Sequence, residues 1–119
     1  MIKSGMMLKQ REICLLPIPF SDLSSKKHRP VLIISNDYYN SNTDDILVMA
    51  ITSNLQDKDT SEIIEQEDME TGILKSVSQV RVDKIYSISK ELIIKSFGKI
   101  KTDKFDKIIQ RLFNFLHGR

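Results

Sequence analysis

Two prolines at alternate positions of a short apolar run most constrain what this chain can fold into. Pro17 and Pro19 lie within the apolar residues 13–20. A proline inside a helix removes a backbone hydrogen bond and clashes with the preceding turn, so this run cannot be helical. Within a sheet, prolines are confined to edges and strand ends. We therefore predict a first β-strand over residues 11–18.

Five further segments have the pattern of β-strands. The apolar runs at residues 30–35 and 46–53 have almost no polar break, which is typical of strands buried on both faces. Residues 60–64 and 77–83 alternate between apolar and polar positions, as strands with one wet face do. A short strand is expected near residues 96–100. Loops are predicted for the polar residues 21–29 and 36–45 and for the acidic residues 62–70.

The C-terminal segment has the period of an α-helix. Its apolar residues recur three and four positions apart and form one face. Thr102 is the expected N-cap, and Gly118 is expected to end the helix. The members of the face are Phe105, Ile108, Ile109, Leu112, Phe113 and Leu116. The sequence thus predicts a small β-rich domain that a terminal helix packs against.

Composition and length restrict the class of protein. The chain has 119 residues, 40% hydrophobic and 29% charged, which is typical of one globular domain over residues 1–119, with residues 1–8 a flexible or extra segment. No apolar run reaches the ~18 residues of a membrane-spanning helix, and no secretory signal is evident, so we expect a cytoplasmic protein with no membrane partner. Cys14 is the one cysteine, and the two histidines are far apart, so neither metal nor cofactor is expected.

A basic segment precedes the second predicted strand. The net charge of +2 is too small to indicate nucleic-acid binding by itself, so the placement of the charges matters. Lys26, Lys27, His28 and Arg29 form a run of potential cations. Pro30 restricts Arg29 to extended conformations, and an arginine fork beside lysines suits a phosphodiester. The alternative is a solvated basic loop.

Polar side chains on two other strands are further candidates. Thr52 and Ser53 end an apolar strand, where a hydroxyl can donate to a phosphate oxygen or cap the following turn. Gln79 and Arg81 share a strand face, because they are two residues apart. Arg81 can also form a surface ion pair with Asp83. None of these signals identifies a function alone.

Taken in order, these segments resemble the MazF/PemK family of bacterial toxins. Residues 11–24 are similar to the family's opening Gly-Asp-Ile-Val-Leu-Val-Pro-Phe-Pro-Phe-Ser-Asp-Leu. The other matching segments are residues 27–35 with Arg-Pro, residues 45–53 with Ile-Thr-Ser, residues 76–85, and residues 98–100 before the terminal helix. Each segment is a weak match, but the ordered set covers nearly the whole chain.

The resemblance implies a fold, an activity and partners. The implied fold is mainly β with a C-terminal α-helix, a small SH3-like barrel that forms a homodimer. The implied activity is metal-independent, sequence-selective cleavage of single-stranded mRNA, in which the ribose 2′-OH attacks its own phosphate to leave a 2′,3′-cyclic phosphate and a 5′-OH. A cognate antitoxin, DNA binding together with it, and growth inhibition are implied as well.

The resemblance also assigns roles to residues. The family's catalytic arginine and threonine correspond to Arg29 and Thr52. Both can stabilise the extra charge of a phosphorane, and loss of one such donor typically lowers the rate about 10²–10³-fold. His28 is the first candidate for proton transfer because imidazole titrates near neutral pH, ahead of Asp22 and Glu12. The expected RNA-binding residues are Phe20, Asp22, Lys26, Lys27, Ser53, Gln79 and Arg81.

The chain departs from the family pattern at two places. Arg11 and Glu12 replace the family's Gly-Asp at the start of the first strand. Alignment on Gln79 places Ser76 and Ser78 where the PemK branch has an acid–base arginine and aspartate, and neither serine can fill those roles.

Two alternatives to a nuclease stay open on the same fold. One is a non-catalytic inhibitor of DNA gyrase, resembling the CcdB toxins. The other is a degenerate binding module. The Arg29-Pro30 and Thr52-Ser53 pairs favour cleavage over both.

Overall fold

A computed structural model describes residues 7–19 and 26–118, with residues 18, 19, 26 and 27 described by their backbone alone. Its strands and helices are β1 (Glu12–Pro19), β2 (Lys26–Ile33), α1 (Asp37–Asn42), β3 (Asp45–Thr52), β4 (Ser61–Ile64), β5 (Met69–Gly72), β6 (Ser78–Ser89), β7 (Lys95–Ile100) and α2 (Thr102–His117), with single 3₁₀ turns at Gln66–Asp68 and Lys90–Leu92.

The strands form one antiparallel sheet with a helix on one face. The sheet has seven strands in the order β4-β6-β3-β2-β1-β7-β5, and every neighbouring pair is antiparallel. It curls into a half-barrel. Buried residues of α2 join the core on one of its faces. This confirms the predicted mainly β fold with a C-terminal α-helix.

Alternate side chains of the central strands enter two cores, one on each face of the sheet. Leu32 of β2 and Ile34, directly after it, belong to the core that α2 covers, on what we call the helix face. Val31 and Ile33 belong to the core on the opposite face. The predicted burial of this strand on both faces is therefore confirmed. The core of the opposite face also contains Leu8, which lies in the segment expected to be extra or flexible.

The predicted C-terminal helix is confirmed, with a correction at its start. Thr102 is not the N-cap but the first helical residue, because the extended backbone of β7 continues through Lys101. Lys101 is the N-cap, and its carbonyl accepts a hydrogen bond from the Phe105 backbone N–H at 3.0 Å. Gly118 ends the helix in a left-handed conformation with φ 68°, as predicted.

β2 begins at Lys26 rather than at Pro30. The prediction of a loop over residues 21–29 is wrong for its last part, since antiparallel pairing with β1 continues through Pro17, which is in register with His28. The basic residues before Pro30 therefore belong to a strand, in which successive side chains point to opposite faces of the sheet.

Two further elements form where the pattern predicts loops. α1 begins where the Asn36 side chain accepts a hydrogen bond from the Tyr39 backbone N–H at 2.8 Å, an N-cap that the polar pattern does not distinguish from a turn. β5 forms in the acidic stretch because it pairs with β7. A β-carbon on Gly72 would lie 1.9 Å from the Phe97 carbonyl oxygen, so this close pairing needs glycine.

Candidate active site

Register across three neighbouring strands brings the predicted catalytic residues onto one face. Ala50 of β3 pairs with Val31 of β2 on one side and with Arg81 of β6 on the other. Arg29 lies two residues before Val31, and Thr52 lies two residues after Ala50. The two-residue period of a strand therefore places Arg29 and Thr52 opposite each other, on the same face as Arg81. This is the opposite face, because Val31 belongs to its core.

These side chains share a cleft of about 330 Å³, which we call the Arg29–Thr52 cleft. Three of its lining side chains are cationic and none is acidic. Electropositive walls of this kind attract a phosphodiester and favour groups that carry extra negative charge. The lining residues are Arg29, Ala50, Ile51, Thr52, Arg81, Lys84 and Tyr86.

The Thr52 hydroxyl serves the turn and keeps its proton available. Its Oγ1 accepts a hydrogen bond from the Asn54 backbone N–H at 3.0 Å. A hydroxyl that accepts in this way still has one O–H to donate. The two alternatives considered for Thr52, turn cap and phosphate donor, are therefore compatible, and the turn fixes where the oxygen lies.

Arg81 is held by Asp83 in a two-pronged ion pair. Nε and Nη2 of Arg81 donate to the two carboxylate oxygens of Asp83 at 3.0 and 2.8 Å. The hydrogen bonds from Arg81 hold the pKa of Asp83 below its ordinary value, and the same pairing raises the pKa of Arg81. The guanidinium is thus held in a fixed position at the cleft, with its charge balanced by the Asp83 carboxylate.

Gln79 is buried and bonded to the segment that follows β3. It is 4% exposed. Its Oε1 accepts from the Gln56 backbone N–H at 2.9 Å, and its Nε2 donates to the Gln56 carbonyl. Thr52 is its register partner on β3. Contact between Gln79 and RNA stays a prediction, while its hydrogen bonds show that it anchors the backbone beside Thr52.

The structure does not bring every predicted residue into the cleft. His28 is exposed, and it precedes Arg29 in β2, so it faces the other side of the sheet. Glu12 is half-buried at the β7 side of β1, where burial raises the pKa of its carboxyl. Ser53 is exposed directly after Thr52.

The side chains of four predicted RNA-binding residues are not part of the described structure. Phe20 and Asp22 lie outside the described residues. The side chains of Lys26 and Lys27 lie outside them as well.

Lys84 and Tyr86 line the cleft but escape sequence reasoning. The pairing of β6 with β3 shifts between Ala50–Arg81 and Met49–Ile85, so extra residues bulge from β6. The alternation read from Gln79 and Arg81 therefore changes phase, and even-numbered residues take over the cleft face. The sequence shows only a cation and an aromatic residue two positions apart. Without knowledge of the bulge, this spacing does not predict that the two side chains face the cleft.

Two absences hold for the part of the chain that the structure describes. Over residues 7–19 and 26–118, no three His, Cys, Asp or Glu side chains are grouped so that they could hold a metal ion. In the same ranges, neither helix has the length and apolar character needed to cross a membrane.

Comparison with solved structures supports the fold. A mycobacterial endoribonuclease in complex with its cognate antitoxin is 22% identical with a TM-score of 0.73, over 92% of this chain and 95% of that chain. The Mycobacterium tuberculosis toxin MazF-mt6 is 19% identical with a TM-score of 0.74, over 90% and 97%. The MazE-MazF structure (Form-III) from Deinococcus radiodurans is 16% identical with a TM-score of 0.76, over 94% and 98%.

Comparison of the sequence with protein families is more specific. No curated protein sequence matches the chain. A sequence model of the PemK-like, MazF-like toxins of type II toxin–antitoxin systems matches residues 9–116. That range contains all seven strands of the described residues and nearly all of α2. The chain therefore belongs to the family of PemK-like, MazF-like toxins of type II toxin–antitoxin systems, as its ordered motifs predict.

Proposed function

We propose that this toxin is a metal-independent endoribonuclease that cleaves single-stranded mRNA at selected sequences. The observation that carries the proposal is the position of Arg29 and Thr52, which lie opposite each other on adjacent strands and line one electropositive cleft. This arrangement supplies a guanidinium fork and a hydroxyl donor to a single phosphate. Membership in the toxin family supports the same activity.

In the proposed reaction the ribose 2′-oxygen attacks the adjacent phosphorus, and the bond from phosphorus to the 5′-oxygen breaks. The 2′-OH loses its proton and the leaving 5′-oxygen gains one, so the products are a 2′,3′-cyclic phosphate and a 5′-OH. Arg29 and Thr52 stabilise the charge on the non-bridging oxygens. Each preorganised donor contributes on the order of 10²–10³ in rate.

Proton transfer is assigned to solvent in this proposal. The described lining of the cleft contains neither a carboxylate nor an imidazole. Arginine is a poor base because its reference pKa is above ~12. His28, the first candidate from the sequence, faces the other side of β2, so we do not place it at the phosphate.

We further propose that the toxin forms a homodimer and is inhibited by a cognate antitoxin that occupies the cleft. One structural neighbour is a mycobacterial endoribonuclease in complex with its cognate antitoxin. A disordered acidic segment complements the cations Arg29 and Lys84, and such segments fold on the surface they bind. Antitoxin binding is expected to suppress cleavage, and the joint complex is expected to bind DNA. Unimpaired cleavage by a toxin saturated with antitoxin would contradict occupation of the cleft.

The activity is tested by incubating the purified protein with single-stranded RNA in EDTA. We expect fragments that end in a 2′,3′-cyclic phosphate, at a rate that Arg29→Ala lowers about 10²–10³-fold. Lys107→Ala is the matched control, since it removes one positive charge from an exposed position of α2. Intact RNA with a folded wild-type protein would remove the nuclease proposal and leave the gyrase inhibitor and the binding module.

A further inference from the structure

Tyr86 is an aromatic side chain in a cleft otherwise dominated by cations. It lines the Arg29–Thr52 cleft and is 41% exposed, so its ring is accessible from the cleft. We propose that Tyr86 is a base-binding subsite, on which a nucleobase beyond the two nucleotides at the cleaved bond stacks. This inference rests on the proposed endoribonuclease function and extends it to substrate positioning.

The register of the sheet sets the distance between this subsite and the reaction. Tyr86 pairs with Val48, and Thr52 lies four residues further along β3. At about 3.4 Å per residue in an antiparallel strand, Tyr86 lies roughly 14 Å along the sheet from Thr52. A stacked base therefore belongs to a neighbouring nucleotide, and not to the two that flank the cleaved bond directly.

Cationic groups occupy the interval between the two positions. Arg81 pairs with Ala50, midway between Val48 and Thr52 on β3. Lys84 lines the same cleft. An RNA strand laid along β3 would meet the catalytic donors, then cations for its next phosphate, then an aromatic ring. Binding sites for single-stranded nucleic acids generally combine cationic side chains, which contact the phosphates, with an aromatic side chain on which a base stacks.

The phosphate contacts and the ring hold different parts of the RNA. Arginine and lysine contacts to phosphate position the strand without reading its sequence. A base stacked on a tyrosine requires an unpaired, exposed base and shows only a modest preference among the four bases. Tyr86 is therefore a positioning residue for single-stranded RNA and takes no part in bond breaking.

The first experiment measures binding to an RNA that cannot be cut. The probe is a short single-stranded RNA with the site mapped by wild-type cleavage and a 2′-deoxyribose at the attacking nucleotide. We expect Tyr86→Ala to weaken binding about 5- to 150-fold, the range typical of losing one stacked base, and Tyr86→Phe to bind as the wild type does. Tyr38→Ala is the matched control, since Tyr38 is exposed on α1 and does not line the cleft.

The second experiment locates the stacked base. An abasic nucleotide is placed at each position of the probe in turn. In the wild-type protein one position beyond the two nucleotides at the cleaved bond is expected to show the stacking loss, and in Tyr86→Ala the same substitution is expected to cost nothing further. An equal loss in both proteins, or unchanged binding by a folded Tyr86→Ala, would overturn the inference.

Failure of the subsite and failure of the nuclease give different results. Cleavage by the wild type with no effect of Tyr86→Ala removes the subsite alone. If the wild type cuts no RNA, the binding of wild type and Tyr86→Ala is compared on the same single-stranded RNA that was used in the cleavage assay. Binding that depends on Tyr86 then supports the subsite while the nuclease proposal fails, and equal binding removes both.

Discussion

The side chain of Gln79 forms two hydrogen bonds with the backbone of Gln56, one with its N–H and one with its carbonyl, as a neighbouring strand would. Its Oε1 accepts from the Gln56 N–H, and its Nε2 donates to the Gln56 carbonyl. Because Gln79 pairs with Thr52 in the sheet, this link holds the segment after β3 beside the proposed catalytic hydroxyl. A buried amide with both ends satisfied is a rigid support, and a half-satisfied one is costly.

Gln79→Ala is therefore expected to affect both stability and catalysis. The free energy of unfolding should fall by about 1–3 kcal/mol, because backbone groups of Gln56 lose their partners. The cleavage rate at saturating RNA should fall as the Thr52 turn loosens, with a smaller change in KM. Urea unfolding and single-turnover cleavage measure the two effects. Gln110→Ala, on the exposed side of α2, is the control. A fully active variant of wild-type stability would show that the link has no supporting role.

An ion-pair cluster between α2 and β4 predicts acid sensitivity. Glu62 accepts from Arg111 Nε at 2.6 Å and from Lys104 Nζ at 3.1 Å. Burial of Glu62 opposes its ionisation, but these hydrogen bonds prevail and hold its pKa below the ordinary value. A carboxyl with a lowered folded-state pKa contributes stability that is present above its unfolded pKa of ~4.3 and is lost as pH falls through the folded-state pKa.

Glu62→Gln should reduce stability at neutral pH by about 1–3 kcal/mol and should flatten its fall below about pH 4. Urea unfolding from pH 3 to pH 7 measures the difference between variant and wild type. Glu67→Gln, an exposed position in the same acidic stretch, should keep the wild-type pH profile. Parallel pH profiles for Glu62→Gln and the wild type would show that this cluster does not link α2 to acid stability.

Arg11 occupies a backbone conformation that favours glycine. Its φ is 80°, in the left-handed region. The side chain compensates, since Nη1 donates to the Ile100 carbonyl at 2.6 Å and to Glu70 Oε1 at 3.0 Å. The glycine that the family pattern has at this position would adopt the same φ without strain. Arg11 in place of glycine thus adds strain to the backbone but gains side-chain contacts with β5 and β7.

Arg11→Gly and Arg11→Ala separate these two terms. Both lose the contacts with Ile100 and Glu70, but only alanine keeps the strained φ. We expect Arg11→Gly to be more stable than Arg11→Ala by about 1 kcal/mol, and both to be less stable than the wild type. Urea midpoints at equal slope measure the order. An alanine variant as stable as the glycine variant would show that the left-handed conformation carries no strain.

The sheet and its closing helix are predictable because their signals are local. Aliphatic runs of strand length predict β2 and β3, and an apolar face at helical spacing predicts α2. β5 is not predictable in this way, because Met69–Gly72 has neither an apolar run nor a clear alternation and becomes a strand only through pairing with β7. The first residues of β2 are similar, since the prolines of β1 suggest a strand end where pairing in fact continues.

The candidate site divides along the same line. Arg29 and Thr52 are predictable because each stands at a fixed place in an ordered motif. His28 is a candidate only because of the chemistry of imidazole. The basic run is predicted as a loop, but it is part of β2, and strand alternation therefore turns the His28 side chain away from the cleft. Lys84 and Tyr86 depend on a bulge in β6, and no residue pattern announces it.

The most direct measurement of the central claim is a double-mutant cycle on single-turnover cleavage of one single-stranded RNA in EDTA. Arg29→Ala and Thr52→Ala are each expected to lower the rate about 10²–10³-fold, and the double variant less than the product of the two, because both donors act on the same phosphate. Thr52→Ser, which keeps the hydroxyl, should restore most of the rate. Multiplicative losses, or a folded Arg29→Ala that cuts as fast as the wild type, would contradict a shared phosphate site.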